Sequence, residues 1–181
     1  IEKVAHKSKE NKSNVSVAYN RRYYSSVIEA KKIIKNHGGV KSFNFEFTEW
    51  SHKIRKLEKS IPIKNNWFLA NSTHVIDLAF FLGGRPETIS CFVTGNLDWH
   101  PAASVFSGAG KTKAGALFSY QANWEAPGRW SIEILTRKNR LIFRPLEKLK
   151  IQKIGSNIIK TIKLNDILDK KFKAGLYRQT K

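Results

Sequence analysis

Acidic residues are scarce in this sequence. Fourteen Asp and Glu stand against 33 Lys and Arg over 181 residues, giving a formal net charge of +19. Cysteine is nearly absent. Cys91 is the single thiol, so no disulfide can close within the chain. A lone thiol fits a reducing cytoplasm. With no base or electropositive setting beside it, Cys91 reads as a small buried strand residue and not as a nucleophile. No run of about 18 apolar residues occurs, so no transmembrane helix is expected. The opening Ile1–Lys7 has no apolar signal region. There is no internal repeat and no low-complexity segment. The five histidines, His6, His37, His52, His74 and His100, are spread along the chain, and no Cys/His pair has zinc spacing, so no metal site is expected.

A phosphate-binding glycine fingerprint is also missing. Gly108-Ala109-Gly110-Lys111-Thr112 resembles the end of a phosphate loop. That loop needs a further glycine five residues before Gly110, where Val105 stands, and a helix after it. The segment 98–112 is therefore read as a flexible loop.

What is present suits one globular domain. Hydrophobic residues make up 41% of the chain, with 11 Phe, five Tyr and five Trp, so disorder over the whole length is excluded. The excess of positive charge raises nucleic acid as a partner. The lysines, however, are scattered and not striped, and base readout favours Arg. A lysine-rich solvated surface is the better reading, and nucleic acid is not the expected partner.

The hydrophobic pattern predicts a polar helix over 2–12 and a strand over 14–19, where Val15, Val17 and Tyr19 alternate with small residues. Val27, Ala30, Ile33 and Ile34 predict a helix over 22–36, ended by His37-Gly38-Gly39. In 40–50, Phe43, Phe45 and Phe47 share one face of a strand and Asn44, Glu46 and Thr48 the other. A charged turn or short helix over 51–60 and an irregular stretch over 61–67 follow. Residues 71–82 predict a nearly all-apolar, buried helix, capped by Asn71 or Ser72 and stopped by Gly83-Gly84. Strands are expected over 87–95, 115–124, 129–136, 140–145, 148–153 and 158–164, and a further helix begins within 165–177. Helices first and antiparallel strands after indicate an α+β fold, with helices on one face of an open, mostly antiparallel sheet. Val93, Phe118, Tyr120, Trp124, Trp130 and Ile132 are candidates for either face of it.

His74 is the informative histidine. It lies on the first turn of the apolar helix, with Asp77 three residues later on nearly the same face. A helix N-terminus lowers an imidazole's pKa, so His74 can accept a proton near neutral pH. A nearby carboxylate opposes that shift and fixes the tautomer. A structural histidine satisfied by Asp77 is an equal reading of the same residues.

The stretch Tyr19-Asn20-Arg21-Arg22-Tyr23-Tyr24, then Trp67, then Thr73-His74-Val75-Ile76-Asp77-Leu78 with Leu82-Gly83-Gly84, resembles the glucose-fructose oxidoreductase / inositol dehydrogenase (Gfo/Idh/MocA) family. The resemblance covers nearly the whole chain in order. It implies a dihydrodipicolinate-reductase-like C-terminal domain over 20–181, and over 1–19 the remnant of a nucleotide-binding domain whose Rossmann part is missing from this chain. By resemblance His74 is the catalytic proton-exchanging residue. Asn71, Asp77, Trp67 and Arg21 are expected at the substrate, and Asn20 and Arg22 near the cofactor, NAD or NADP. A structural clamp between domains is an equal reading of the arginines. The implied activity is oxidation or reduction of a hydroxyl/carbonyl pair on a sugar, sugar nucleotide or polyol, in a homo-oligomer built through the sheet face. The chain alone is expected to be inactive, because the family's glycine-rich loop and Glu-Lys-Pro lysine lie in the other domain.

One departure stands inside the motif. The family's Asp four residues before the histidine is Ala70 here, so Asn71 is the nearest polar group, and an amide is no base. The competing reading is a non-catalytic basic domain that binds a polyanion or a sugar-like ligand.

Overall fold

Three phenylalanines spaced two apart build the centre of the sheet. A computed structural model of the chain describes residues 2–181. In chain order the helices and strands are α1 (Glu2–Glu10), α2 (Ser25–Asn36), β1 (Ser42–Glu46), α3 (Ser51–Ile54), α4 (Ile61–Asn65), α5 (Thr73–Gly83), β2 (Pro86–Thr94), β3 (Val105–Thr112), β4 (Leu117–Asn123), β5 (Ser131–Leu135), β6 (Asn139–Phe143), β7 (Lys150–Lys153), β8 (Ile159–Thr161), α6 (Ile167–Lys171) and α7 (Leu176–Gln179). A 3₁₀ turn over Asn20–Tyr23 leads into α2, and a π-helical turn over Phe68–Ser72 leads into α5.

The eight strands form one open sheet in the order β2-β3-β4-β1-β5-β6-β7-β8. Only β1 and β4 run parallel; the other neighbours are antiparallel. This is the α+β architecture expected from the sequence. β1 is central, so its period-two pattern governs both faces. Phe43 and Phe45 lie opposite Phe118 and Tyr120 on β4 and opposite Ile134 and Ile132 on β5. Across these rings lies Phe80 of α5, edge-on to Phe43 and Phe118 at 5.8 and 5.0 Å between centroids. Val27 and Ala30 of α2 and Val75, Leu78 and Ala79 of α5 complete this core. On the opposite face, Asn44, Ser119, Ser107 and Ser90 form a polar surface with no helix over it.

The C-terminal tail clasps the start of α2. The Ser25 amide donates to Asp169 at 2.7 Å, supplying from a distant element the N-cap that Tyr24 lacks. Arg178 donates to Asp169 at 2.7 Å and to the Tyr23 carbonyl at 3.2 Å, and the Asn20 amide donates to the Ala174 carbonyl at 2.9 Å. Burial alone would raise the Asp169 pKa, but its bonds from Ser25 and Gly175 and the Arg178 charge hold it below the ordinary value. The clasp fixes the backbone that presents Arg21 and Arg22.

Several expectations are corrected. Residues 14–19 form no strand, and Val15 and Val17 face solvent. An extended segment becomes a strand only when a neighbour takes its backbone bonds, and no described residue pairs with this one. Residues 61–67 are not irregular: they begin with α4, which carries Pro62 in its first turn. Residues 98–112 are not one loop, since Val105 onward is strand β3. Its glycines sit under aromatic rings. A Cβ on Gly110 would lie 2.6 Å from the Phe118 ring and 2.1 Å from the Thr88 carbonyl, and one on Gly108 2.4 Å from the Tyr120 ring. Glycine there marks close approach within a sheet, not flexibility. Cys91 is exposed, not buried. It lies on β2, an edge strand, all nine of whose residues are exposed. Among the described residues no helix is long and apolar enough to cross a membrane.

Candidate functional site

The π-helical turn decides what the apolar helix presents. The wider turn runs directly into α5, so neither Asn71 nor Ser72 caps a helix end. Such turns recur at functional sites because they re-aim side chains. Here both side chains turn to one acceptor: the Asn71 amide and the Ser72 hydroxyl each donate to Glu49 Oε1 at 2.9 Å.

Glu49 was not anticipated as a site residue, and it organises this region. Its side chain is 1% exposed. Besides Asn71 and Ser72, it accepts Trp130 Nε1 at 3.2 Å and Arg129 Nη1 at 2.9 Å. Both oxygens are thus used, which a fully buried carboxylate requires. Four donors from two distant segments, the π turn and the entry to β5, converge on the short stretch between β1 and α3. Glu49 continues the odd-numbered face of Phe43, Phe45 and Phe47. That alternation was the available signal: a carboxylate in register with core rings must find donors.

His74 is half-buried, and its edge meets the Tyr19 ring at 5.5 Å between centroids, at 90°. Its Nδ1 is buried without a hydrogen-bond partner. Nε2 is therefore the nitrogen left for a ligand. The pKa lies below the ordinary imidazole value, first because of burial and then because of the nearby Arg21 charge; Asp77 opposes both. The direction matches the sequence expectation but the cause differs, since the helix does not begin at His74. A neutral imidazole results, able to take or give a proton at Nε2.

Asp77 does not hold the His74 tautomer. Its two oxygens receive the Arg22 guanidinium, with Arg22 Nε at 2.7 Å and Nη2 on the other oxygen. This fork-to-fork pair ties the 3₁₀ turn to α5 and raises the Arg22 pKa. The structure brings His74, Asp77, Arg21 and Arg22 together. Asn71 is held beside them by Glu49. Trp67 packs against the core, with Nε1 buried and unpaired. Asn20 donates one N–H to Ala174 and Arg22 two to Asp77, so both side chains are held in place and keep their remaining donors.

A line of alternating cations and indoles runs beside this group. The Arg21 guanidinium carbon lies 4.5 Å from the Trp130 ring centroid, and that of Arg129 lies 4.6 Å from the same ring and 5.0 Å from Trp50. Lys53 Nζ is 4.2 Å from Trp50. Trp50 borders a groove of about 770 Å³, lined also by Ser51, His52, Arg55, Asn96 and Trp99. Arg129 and Trp50 were not singled out in the sequence, and no local motif marks them.

The sequence matches no family model and no curated protein. Solved structures do resemble it. A levoglucosan dehydrogenase in complex with NADH and levoglucosan matches with a TM-score of 0.64 at 20% identity, over 81% of this chain and 46% of that one. The UDP-N-acetylglucosamine 3-dehydrogenase GnnA from Acidithiobacillus ferrooxidans matches with 0.65 at 13% identity, over 90% and 51%. A super-repressor mutant of Gal80p from Saccharomyces cerevisiae matches with 0.74 at 15% identity, over 91% and 50%. The chain spans about half the length of these structures.

Glu49→Ala leaves the buried Ser72 and Trp130 donors without their acceptor, while the half-exposed Arg129 turns to water. It should cost about 2–4 kcal/mol of stability in urea unfolding. A loss under about 1 kcal/mol would mean that the network is not held by this carboxylate. At these levels of identity the likeness is one of architecture, and the chain has the fold of about half of each of these structures.

Proposed function

We propose that this chain is the C-terminal, substrate-binding part of an NAD(P)-dependent oxidoreductase. Residues 20–181 form the substrate domain, and residues 1–19 the tail of a nucleotide-binding domain. The substrate is a sugar, sugar nucleotide or polyol, reacting at a hydroxyl/carbonyl pair. The observation that carries this reading is His74: a neutral imidazole whose Nδ1 is buried and whose Nε2 is left for a ligand, in a fold shared with an NADH-bound sugar dehydrogenase.

In this reading His74 takes the proton from the substrate hydroxyl, or returns it to the carbonyl oxygen, at Nε2. Burial and Arg21 keep the ring neutral until substrate arrives. Asn71, fixed by Glu49, offers its amide oxygen to a substrate hydroxyl. Arg22 and Asp77 hold α5 against the 3₁₀ turn, so the imidazole keeps its place. A bound nicotinamide supplies the hydride chemistry. The other domain holds most of it, with the remaining N–H donors of Asn20 and Arg22 beside it.

A non-catalytic ligand-binding domain is the second reading, and one residue favours it. Ala70 stands where the family motif has a carboxylate, and the fold is shared with a repressor protein. Turnover decides between the two. In the protein carrying both domains, His74→Ala should lower turnover by ~10²-fold or more. Sugar binding without turnover in the unaltered protein would favour the non-catalytic reading.

The uncovered sheet face is proposed as the homo-oligomer contact. Phe92 projects from it at 71% exposure, beside the small polar side chains of Ser90 and Ser107. So large an exposed ring on a smooth surface suits an isologous contact. Light scattering should show an oligomer for the unaltered chain and a smaller species for Phe92→Asp. A monomer in both cases would remove this contact.

A further inference from the structure

The line of cations and indoles beside His74 is short of negative charge. Arg21 is half-buried, and among the described residues it has no ion-pair partner; Glu147 acts on it only from a distance. Arg129 is paired with Glu49, and Lys53 has no ion pair among the described residues. Of the three cations only Arg129 is in contact with a carboxylate, and that carboxylate also accepts three further donors; Glu147 and Glu49 act on Arg21 from a distance. Burying a cation without a counter-charge is costly. The Trp130 face offsets part of that cost, since a ring quadrupole attracts a guanidinium but carries no net charge.

The arrangement has a direction. One end, Arg21, reaches close enough to lower the His74 pKa. The other end, Trp50, borders the groove of about 770 Å³, where Arg55 is paired with Asp98 at 2.6 Å, and Lys53 lies against the Trp50 ring. Between the ends, two guanidiniums flank the same indole. Planar, permanently charged forks on a rigid ring are suited to phosphate oxygens.

Building on the oxidoreductase reading, we propose that the substrate is a phosphate-ester sugar. Its phosphate lies on Arg21 and Arg129, its reacting hydroxyl at His74, and any group beyond the phosphate in the groove beside Trp50. The phosphate supplies the missing counter-charge and fixes the sugar relative to the imidazole. The net charge of +19 draws such an anion toward the site from a distance.

Calorimetric titration of the chain with UDP-glucose, glucose 1-phosphate and glucose tests this. Both phosphate esters should bind about tenfold or more tightly than glucose, and less tightly as salt rises. UDP-glucose binding the tighter of the two would place a nucleoside in the groove; equal binding would indicate a simple sugar phosphate. Arg21→Gln should weaken both esters about tenfold and leave glucose unchanged. Lys53→Gln, on an exposed side chain whose loss leaves the core intact, should weaken UDP-glucose more than glucose 1-phosphate. Equal affinity for glucose and its esters, no ester binding, or ester binding indifferent to Arg21→Gln would overturn the proposal. The oxidoreductase reading fails separately: phosphate-selective binding with normal turnover in His74→Ala would remove that reading and keep the phosphate site.

Discussion

Glu49 carries a charge into the interior, and the site takes its shape from how that charge is satisfied. A buried carboxylate is tolerated only when both oxygens are fully hydrogen-bonded. Meeting that demand draws together the short stretch between β1 and α3, the π-helical turn before α5 and the entry to β5. Without it, Asn71 and Ser72 would be free to cap the helix as ordinary N-terminal residues do. With it, the helix runs on through a wider turn, and Asn71 is held beside His74. Arg129 and Trp130 are fixed by the same acceptor. The polar site and the line of cations are therefore two sides of one network.

The electrostatics around His74 follow from a division of labour among the charged groups. Arg22 and Asp77 neutralise each other in a forked pair and act mainly as a clamp. Arg21 has no ion-pair partner among the described residues, and its field lowers the imidazole pKa against the opposing pull of Asp77. Burial acts in the same direction. A histidine among these groups stays neutral near pH 7 without the help of a helix end. The C-terminal clasp on Asn20 and Ser25 holds the turn from which Arg21 adds to that effect.

Much of the architecture was legible in the sequence because it rests on strong periodicity. The odd-numbered phenylalanines of β1 and the apolar run of α5 were read correctly, as was the predominance of antiparallel strands after it. Strand β3 was missed because Gly108 and Gly110 imitate a loop; their small size answers to Phe118 and Tyr120 on the neighbouring strand, which local patterns do not reveal. The segment 14–19 had a strand's alternation but no neighbour to pair with. Cys91 had a buried residue's character, yet it lies on an edge strand that nothing covers. His74, Asp77 and the two arginines, singled out by motif, do lie together. Glu49 was within reach, since its parity matches the core phenylalanines, but Arg129 and Trp50 join the site only through tertiary contacts.

The direct test of this account is the His74 titration, followed by NMR on the labelled chain with Arg21→Gln beside it. The imidazole should titrate below its ordinary value of 6.5, and Arg21→Gln should raise it. Because folding lowers this pKa, His74 should also weaken folding as pH falls below about 6.5, and contribute no such penalty above it. A His74 titration at or above 6.5, unmoved by Arg21→Gln, would contradict a neutral, Arg21-poised imidazole at the centre of the site.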